Sequence, residues 1–153
     1  APWRPATPHR VRDTSASRLW EAYEQIRAYE AVLRWADIAT LHQLRIAAKR
    51  LRYTLEFLRE TLPPEAGALV ARLVALQDHL GELNDAAVAA GLTRAFLVEH
   101  ADRLDEPTTL AIGRYLASRE REMETLRRSV GAPWRGVAGL AFRRSLGRVA
   151  AAL

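Results

Sequence analysis

The sequence predicts an all-α fold, an antiparallel helical bundle of four to five helices. Three observations support it: apolar residues recur every three or four positions, proline and glycine separate the segments with this spacing, and no segment alternates like a half-buried strand. A chain of 153 residues can bury one core without a disulfide or a metal. We expect a single helical-bundle domain over residues 15–153, preceded by a disordered or extended tail over residues 1–14.

Capping residues and helix breakers set the predicted boundaries. Ser15 or Ser17 can cap the first helix, and Thr40 can open the second with Gln43 completing a capping box. The third helix either continues past Gly91 or breaks there. Prolines and glycines end the remaining segments. The predicted helices are 15–36, 40–61, 65–104, 108–130 and 137–152.

The composition favours an acidic partner. The net charge is +5, and all but one of the 23 basic residues are arginine, the exception being Lys49. Arginine binds phosphate oxygens two at a time, although a GC-rich coding sequence also favours arginine. The absence of cysteine excludes disulfides and thiolate chemistry. No apolar run approaches the roughly 18 residues of a membrane span, so we expect a cytoplasmic protein.

The second predicted helix carries its charges in an uncommon place. Wound at about 100° per residue, it has one apolar stripe of leucines with Ala48 and a second stripe of Ile46, Tyr53 and Phe57. Between the two stripes lie five charged or titratable residues: His42, Arg45, Lys49, Arg52 and Glu56. Ordinary surface helices carry their charges opposite the apolar stripe. We therefore expect the basic side chains to point into a cleft or the bundle interior, facing an anion.

Two further considerations bear on that anion. His42 and Arg45 are expected in the first turn of the helix, where free N–H groups and the helix dipole favour negative charge. The alternative is an internal salt-bridge network, with Glu30, Glu56 and Asp85 as the acidic partners. Four bases against three acids leave little excess charge, so the sequence leaves both interpretations open.

The pattern H-x-x-R-I-x-x-K-R-L-R-Y-x-x-E over residues 42–56, with L-Q-D-H-L-G-E-L-N-D over residues 76–85, resembles the CHAD family, the conserved histidine α-helical domains. The resemblance extends over roughly residues 15–150. It implies a helical bundle that binds inorganic polyphosphate, in some members at polyphosphate granules. It also implies phosphate ligands and two residues that shape their site. The implied ligands are His42, Arg45, Lys49 and Arg52, shaped by Tyr53 and Glu56.

The chain departs from the family in one respect. Members usually carry two basic helices, one in each of two similar halves, whereas this sequence has one. His9 and Arg12 have the H-x-x-R spacing, but no K-R-L-R-Y follows them. The chain is therefore identified as the C-terminal half of such a domain or a short member. A homodimer or an N-terminal half-domain would supply the other wall.

Polar residues of the third helix are predicted to support the basic stripe. Gln77 and Asn84, seven residues apart beside the leucine stripe, are expected to be semi-buried, and with Asp85 to orient the basic side chains. Ordinary interhelical hydrogen bonds are the alternative. Gly81 is expected to permit a close helix approach. Four further arginines are placed at the rim of the site: Arg27, Arg34, Arg59 and Arg119.

We predict a non-catalytic polyphosphate-binding domain without cofactor or metal, located in the cytoplasm and at polyphosphate granules. No glycine-rich phosphate loop or acidic magnesium cluster appears, and His79 with Glu82 has no second ligand pair. Two alternatives remain. One is a nucleic-acid-binding module, although the basic stripe is bordered by Leu and Ile rather than displayed for a groove. The other is a structural protein–protein interaction domain neutralised by its own acids.

Overall fold

The computed structural model describes residues 10–153. Within that range the all-α prediction is confirmed, with six α-helices and no strand. The helices are α1 (Val11–Arg27), α2 (Ile38–Phe57), α3 (Ala66–Glu99), α4 (Glu106–Ser129), α5 (Gly131–Ala138) and α6 (Leu140–Ala151). Of the predicted tail, residues 1–9 lie outside the described range.

Helix α1 begins at Val11, four residues before the predicted start, and ends at Arg27 rather than Ala36. The backbone N–H of Arg10 donates to the Asp13 carboxylate at 2.9 Å, which closes the first turn. Ser15 is no cap, because it lies inside the helix and donates to the Val11 carbonyl. Two short 3₁₀ turns over residues 28–31 and 33–35 replace the predicted last turns. Apolar spacing alone does not separate these turns from an α-helix.

Helix α2 is capped by Asp37, not by Thr40. The Asp37 carboxylate accepts from the Thr40 N–H at 2.7 Å, and the helix runs from Ile38 to Phe57. His42 is therefore the fifth residue of the helix, and Arg45 lies about one turn further on. The expectation that both lie in a first turn with free N–H groups is wrong. The first turn precedes His42, and the Asp37 carboxylate already accepts from an N–H group there.

Protonating the two capping carboxylates is expected to destabilise the fold at acid pH. Hydrogen bonds from Thr40 lower the pKa of Asp37 below its ordinary value of 3.8, and hydrogen bonds from Thr108 do the same for Asp105, the cap of α4. A lowered folded-state pKa stabilises the fold above the unfolded pKa, and this contribution is lost as the pH falls through the folded value. Thermal unfolding should show the midpoint falling below about pH 4.

The control is the double variant Asp37→Asn, Asp105→Asn, which keeps neutral caps. Its midpoint should approach that of the wild type as the pH falls, because the two proteins then differ little in cap charge. A difference that stays constant from neutral to acid pH would contradict this prediction.

Helices α3 and α4 form a long antiparallel hairpin. Helix α3 runs unbroken for 34 residues through Gly91. Two contacts join these helices. Arg94 forms an ion pair with Glu120, and farther from the connecting loop His79 Nε2 lies 2.7 Å from the Leu126 carbonyl oxygen. In α4 no described residue is buried, so it covers one side of α3 without entering the core.

Helices α5 and α6 complete the core in place of the single predicted last helix. The chain bends at Gly139, where a Cβ atom would lie 2.6 Å from the Arg135 carbonyl oxygen, so only glycine fits this bend. Both helices contribute buried side chains, among them Trp134, Val137 and Phe142.

The core lies where α1, α2 and α3 meet these last two helices. Helix α2 packs between α1 and α3, as contacts from Arg50 to Gln25 and from Arg45 to Gln77 indicate. This arrangement exposes one long face of α2. None of the helices described is long and apolar enough to cross a membrane.

Candidate anion-binding site

The two predicted stripes of α2 have different environments. The leucine stripe is buried, with Leu44, Ala48 and Leu51 fully covered. The second stripe is exposed: Ile46 at 45%, Tyr53 at 49% and Phe57 at 75%. The expectation that the basic side chains point into an enclosed cleft is therefore wrong for residues 10–153, because no described helix packs over this second stripe. Arg45 lies beside α3, whereas Lys49 lines a groove between α1 and α2.

Arg45 is the basic residue most closely tied to α3. Its side chain is half-buried, and Nε donates to the Gln77 backbone carbonyl at 3.3 Å. A Cβ atom on Gly81 would lie 3.3 Å from Nε and 3.6 Å from Nη2 of Arg45. Gly81 thus leaves space for a guanidinium group, a role the sequence did not indicate. Among the described residues, no hydrogen bond occupies Nη1 or Nη2, so both remain available as donors.

Tyr53 orders the two basic side chains further along the helix. Its ring centroid lies 5.3 Å from Lys49 Nζ and 4.8 Å from Arg52 Cζ, so both cations contact the ring. Arg52 Nε also lies 3.5 Å from Glu56 Oε1. Lys49 is exposed, and no carboxylate of the described chain pairs with it.

His42 stands at the N-terminal end of the basic row. It is half-buried, and its Nδ1 atom is fully covered without a hydrogen-bond partner in the part of the chain described. Because Nδ1 is covered, an external anion could reach this imidazole only through its other ring nitrogen, Nε2.

The internal salt-bridge alternative accounts for only one of the four bases. Glu56 pairs with Arg52, whereas Glu30 and Asp85 are exposed and form no ion pair with any residue from 10 to 153. His42, Arg45 and Lys49 thus have no carboxylate partner among residues 10–153.

The predicted supporting residues of α3 differ in placement. Gln77 is 3% exposed, and it holds Arg45 through its backbone carbonyl, while its side-chain Oε1 is buried without a partner. Asn84 is half-buried and Asp85 is exposed. Across residues 10–153 neither makes a hydrogen bond to the basic row. Their proposed orienting role stays a prediction.

The four predicted rim arginines do not share one location. Arg27 donates to the Ala138 carbonyl at 2.7 Å, which ties α1 to the end of α5. Arg34 stacks over Trp35, and Arg119 pairs with Glu122 at 2.7 Å while lying over Tyr115. Arg59 is exposed just beyond α2. Only Arg59 directly follows the helix that carries the basic row.

The described residues contain no group of three or more His, Cys, Asp or Glu side chains that could hold a metal ion. What the site offers is hydrogen-bond donors and positive charge. Three basic side chains of α2 have no acidic partner within the described part of the chain, and Arg45 is held at its Nε by the neighbouring helix.

The fold and the basic row define an all-α domain with a cationic helix face. A comparison with family models matches residues 2–94 to the CHAD domain family, which is most of the chain and includes every residue of the basic row. The chain therefore belongs to the CHAD domain family. The match ends inside α3, short of the roughly 15–150 expected from sequence motifs. Searches of curated proteins and of solved structures find no match.

Proposed function

We propose that this domain binds inorganic polyphosphate, or a similar phosphate-rich polyanion, without transforming it. The observation that carries the proposal is the state of Arg45: its Nε is fixed on the Gln77 carbonyl, and its two terminal nitrogens have no protein partner in residues 10–153. A guanidinium held in this way presents a two-pronged donor that matches two phosphate oxygens. Membership of the CHAD family, which is linked to polyphosphate, is consistent with this ligand.

The spacing of the row fits a linear ligand. His42, Arg45, Lys49 and Arg52 succeed one another at three- or four-residue intervals, so they repeat about every 5 Å along the axis of α2. A chain of phosphates lying along that axis would meet about one basic side chain per turn. Binding would release counterions from the polyanion, and affinity should therefore grow with ligand length and fall with salt.

We propose no catalytic role for the domain. Phosphoryl transfer needs a metal or an equivalent set of groups around the transferred phosphoryl, and the row supplies cations and an imidazole only. If the ligand is granular polyphosphate, the domain would act as a granule-attachment module in the cytoplasm. Release of orthophosphate from long-chain polyphosphate by the purified protein would overturn the non-catalytic part of this proposal.

The direct test is a titration with long-chain polyphosphate, in which calorimetry measures the affinity and thermal unfolding measures the stability. We expect saturable binding, a raised unfolding midpoint, and an affinity that falls by at least about tenfold between 50 and 200 mM salt. Inorganic triphosphate serves as the short-chain control and should bind far more weakly. An unchanged midpoint at saturating polyphosphate would contradict the proposal and favour the structural alternative.

Duplex DNA in the same titration separates polyphosphate from nucleic acid. Arg45 is half-buried beside α3, so the row should admit a thin flexible chain better than a duplex that needs a protruding helix. We expect polyphosphate to displace labelled DNA at equal phosphate concentration. The reverse order of affinity would make nucleic acid the better candidate.

A further inference from the structure

The exposed stripe of α2 forms the floor of a groove between α1 and α2. The groove has a volume of about 590 Å³ and ten lining residues. Its apolar surface comes mainly from Val11, Ile46, Tyr53, Phe57 and Leu58, of which the first four are at least 45% exposed. Exposed large apolar side chains grouped in one concave surface are characteristic of a docking site.

The charges on this groove all have one sign. Arg18, Lys49 and Arg50 line it, and no acidic residue of the described chain does. None of the three pairs with a carboxylate of the described chain, and Arg50 donates only to the neutral Gln25 side chain at 3.1 Å. The groove therefore combines an apolar floor with three available cations.

We propose that this α1–α2 groove docks an acidic amphipathic helix of a partner protein. The partner's apolar face would cover the groove floor, and its flanking Asp or Glu residues would meet Arg18, Lys49 and Arg50. From Ile46 to Leu58 the floor is about 18 Å long, which suits roughly three helical turns of a partner with apolar residues at every third or fourth position. The groove shares Lys49 with the basic row, so the two ligands would compete for that cation, whereas Arg18 and Phe57 belong to the groove alone.

Other occupants fit the groove less well. Bare polyphosphate would satisfy the cations but leave the aromatic floor uncovered. A second copy related by two-fold symmetry would bring the same three cations onto themselves. The chain's own residues 1–9, APWRPATPH, contain an arginine and no acid. A lipid surface is flat, whereas the groove is concave and shaped for a rod.

The test uses a designed fluorescent peptide of about 14 residues with leucines at positions i, i+3, i+4 and i+7 and acidic residues on both flanks. Its controls are a scrambled peptide and a version with lysine in place of every acid. We expect the acidic amphipathic peptide to bind the full chain and both controls to bind at least about tenfold more weakly.

Two variants locate the binding. Phe57→Ser and Arg18→Glu should each lower the affinity for the peptide by about tenfold. Both variants should keep an affinity for polyphosphate within about twofold of the wild type. Their matched controls are Val98→Ser, similarly exposed at 77% on α3, and Arg114→Glu, an exposed arginine on α4. Neither control lines the groove, so neither should change peptide binding.

Several results would overturn the proposal. Equal binding of the acidic and scrambled peptides would show that the protein does not recognise an amphipathic helix. Unchanged binding of the peptide to Phe57→Ser would show that the peptide does not bind in this groove. A dimer in sedimentation that Phe57→Ser dissociates would identify a second copy as the occupant. Stronger peptide binding after deletion of residues 1–9 would identify the chain's own N-terminal segment as the occupant of the groove. Binding to phosphatidylserine vesicles that Phe57→Ser abolishes would identify a membrane.

Discussion

Replacing Arg45 and Lys49 together with alanine is expected to lower the affinity for long-chain polyphosphate by on the order of 30-fold. Arg45 contributes most, because its Nε is already held by the Gln77 carbonyl and its terminal nitrogens are free to form paired contacts with phosphate oxygens. Lys49 adds an exposed cation one turn further along α2. Calorimetric titration at fixed salt measures the change, and the salt dependence of affinity should become shallower.

The matched control removes two charges elsewhere. Arg114→Ala with Arg144→Ala takes the same two positive charges from exposed positions that have no ion pair among residues 10–153. If binding followed net charge alone, this variant would lose as much affinity as the first. We expect it to lose about twofold or less, and equal losses in the two variants would contradict an assignment of the site to α2.

Gly81→Ala is expected to stabilise the fold and weaken polyphosphate binding at the same time. Alanine is about 1 kcal/mol better than glycine inside a helix, but its Cβ would lie 3.3 Å from Arg45 Nε, so the half-buried guanidinium must shift outward. That shift would lengthen the hydrogen bond from Arg45 Nε to the Gln77 carbonyl and move the two terminal guanidinium nitrogens away from their phosphate-binding position. We expect about a fivefold loss of affinity, measured by titration, together with an unchanged or higher unfolding midpoint.

Gly91→Ala provides the comparison within the same helix. A Cβ atom at Gly91 meets nothing within 4 Å, so this variant should gain the helix stabilisation without any loss of affinity. If both glycine variants bind polyphosphate like the wild type, the position of Arg45 against α3 does not matter for the ligand. If both lose affinity equally, the effect comes from the helix backbone rather than from the Arg45 side chain.

Sequence periodicity predicted the fold class and the buried stripe of α2 because both follow from local spacing. The leucine positions of α2 and α3 are buried as expected. Boundaries were harder to predict. Asp37 and Thr40 are both good capping residues, and only the folded chain shows that Asp37 accepts from the Thr40 N–H. The bend at Gly139 likewise depends on a backbone contact that has no pattern in the sequence.

The site was predicted only as a set of residues on one helix. Periodicity gives the direction of a side chain but not which neighbouring helix covers it, so the exposure of Ile46, Tyr53 and Phe57 was not foreseen. The contact between Arg45 and the Gln77 backbone forms only in the tertiary structure. Since every residue has a backbone carbonyl, the identity of residue 77 does not predict this contact. The sequence singled out Gly81 for a close helix approach, and the structure adds that the nearest atoms of the neighbouring helix belong to the Arg45 side chain.

The place where the family match ends does not coincide with a unit of folding. Residue 94 falls within the last turns of α3, and three helices follow it. Val137, Phe142, Leu146 and Val149 from those helices are completely buried against the earlier ones. A fragment cut at the family boundary would therefore present uncovered leucines to water and forfeit much of its hydrophobic stabilisation. The proposed polyanion site, encoded in the first part of the chain, would thus depend on the closing helices for a folded scaffold.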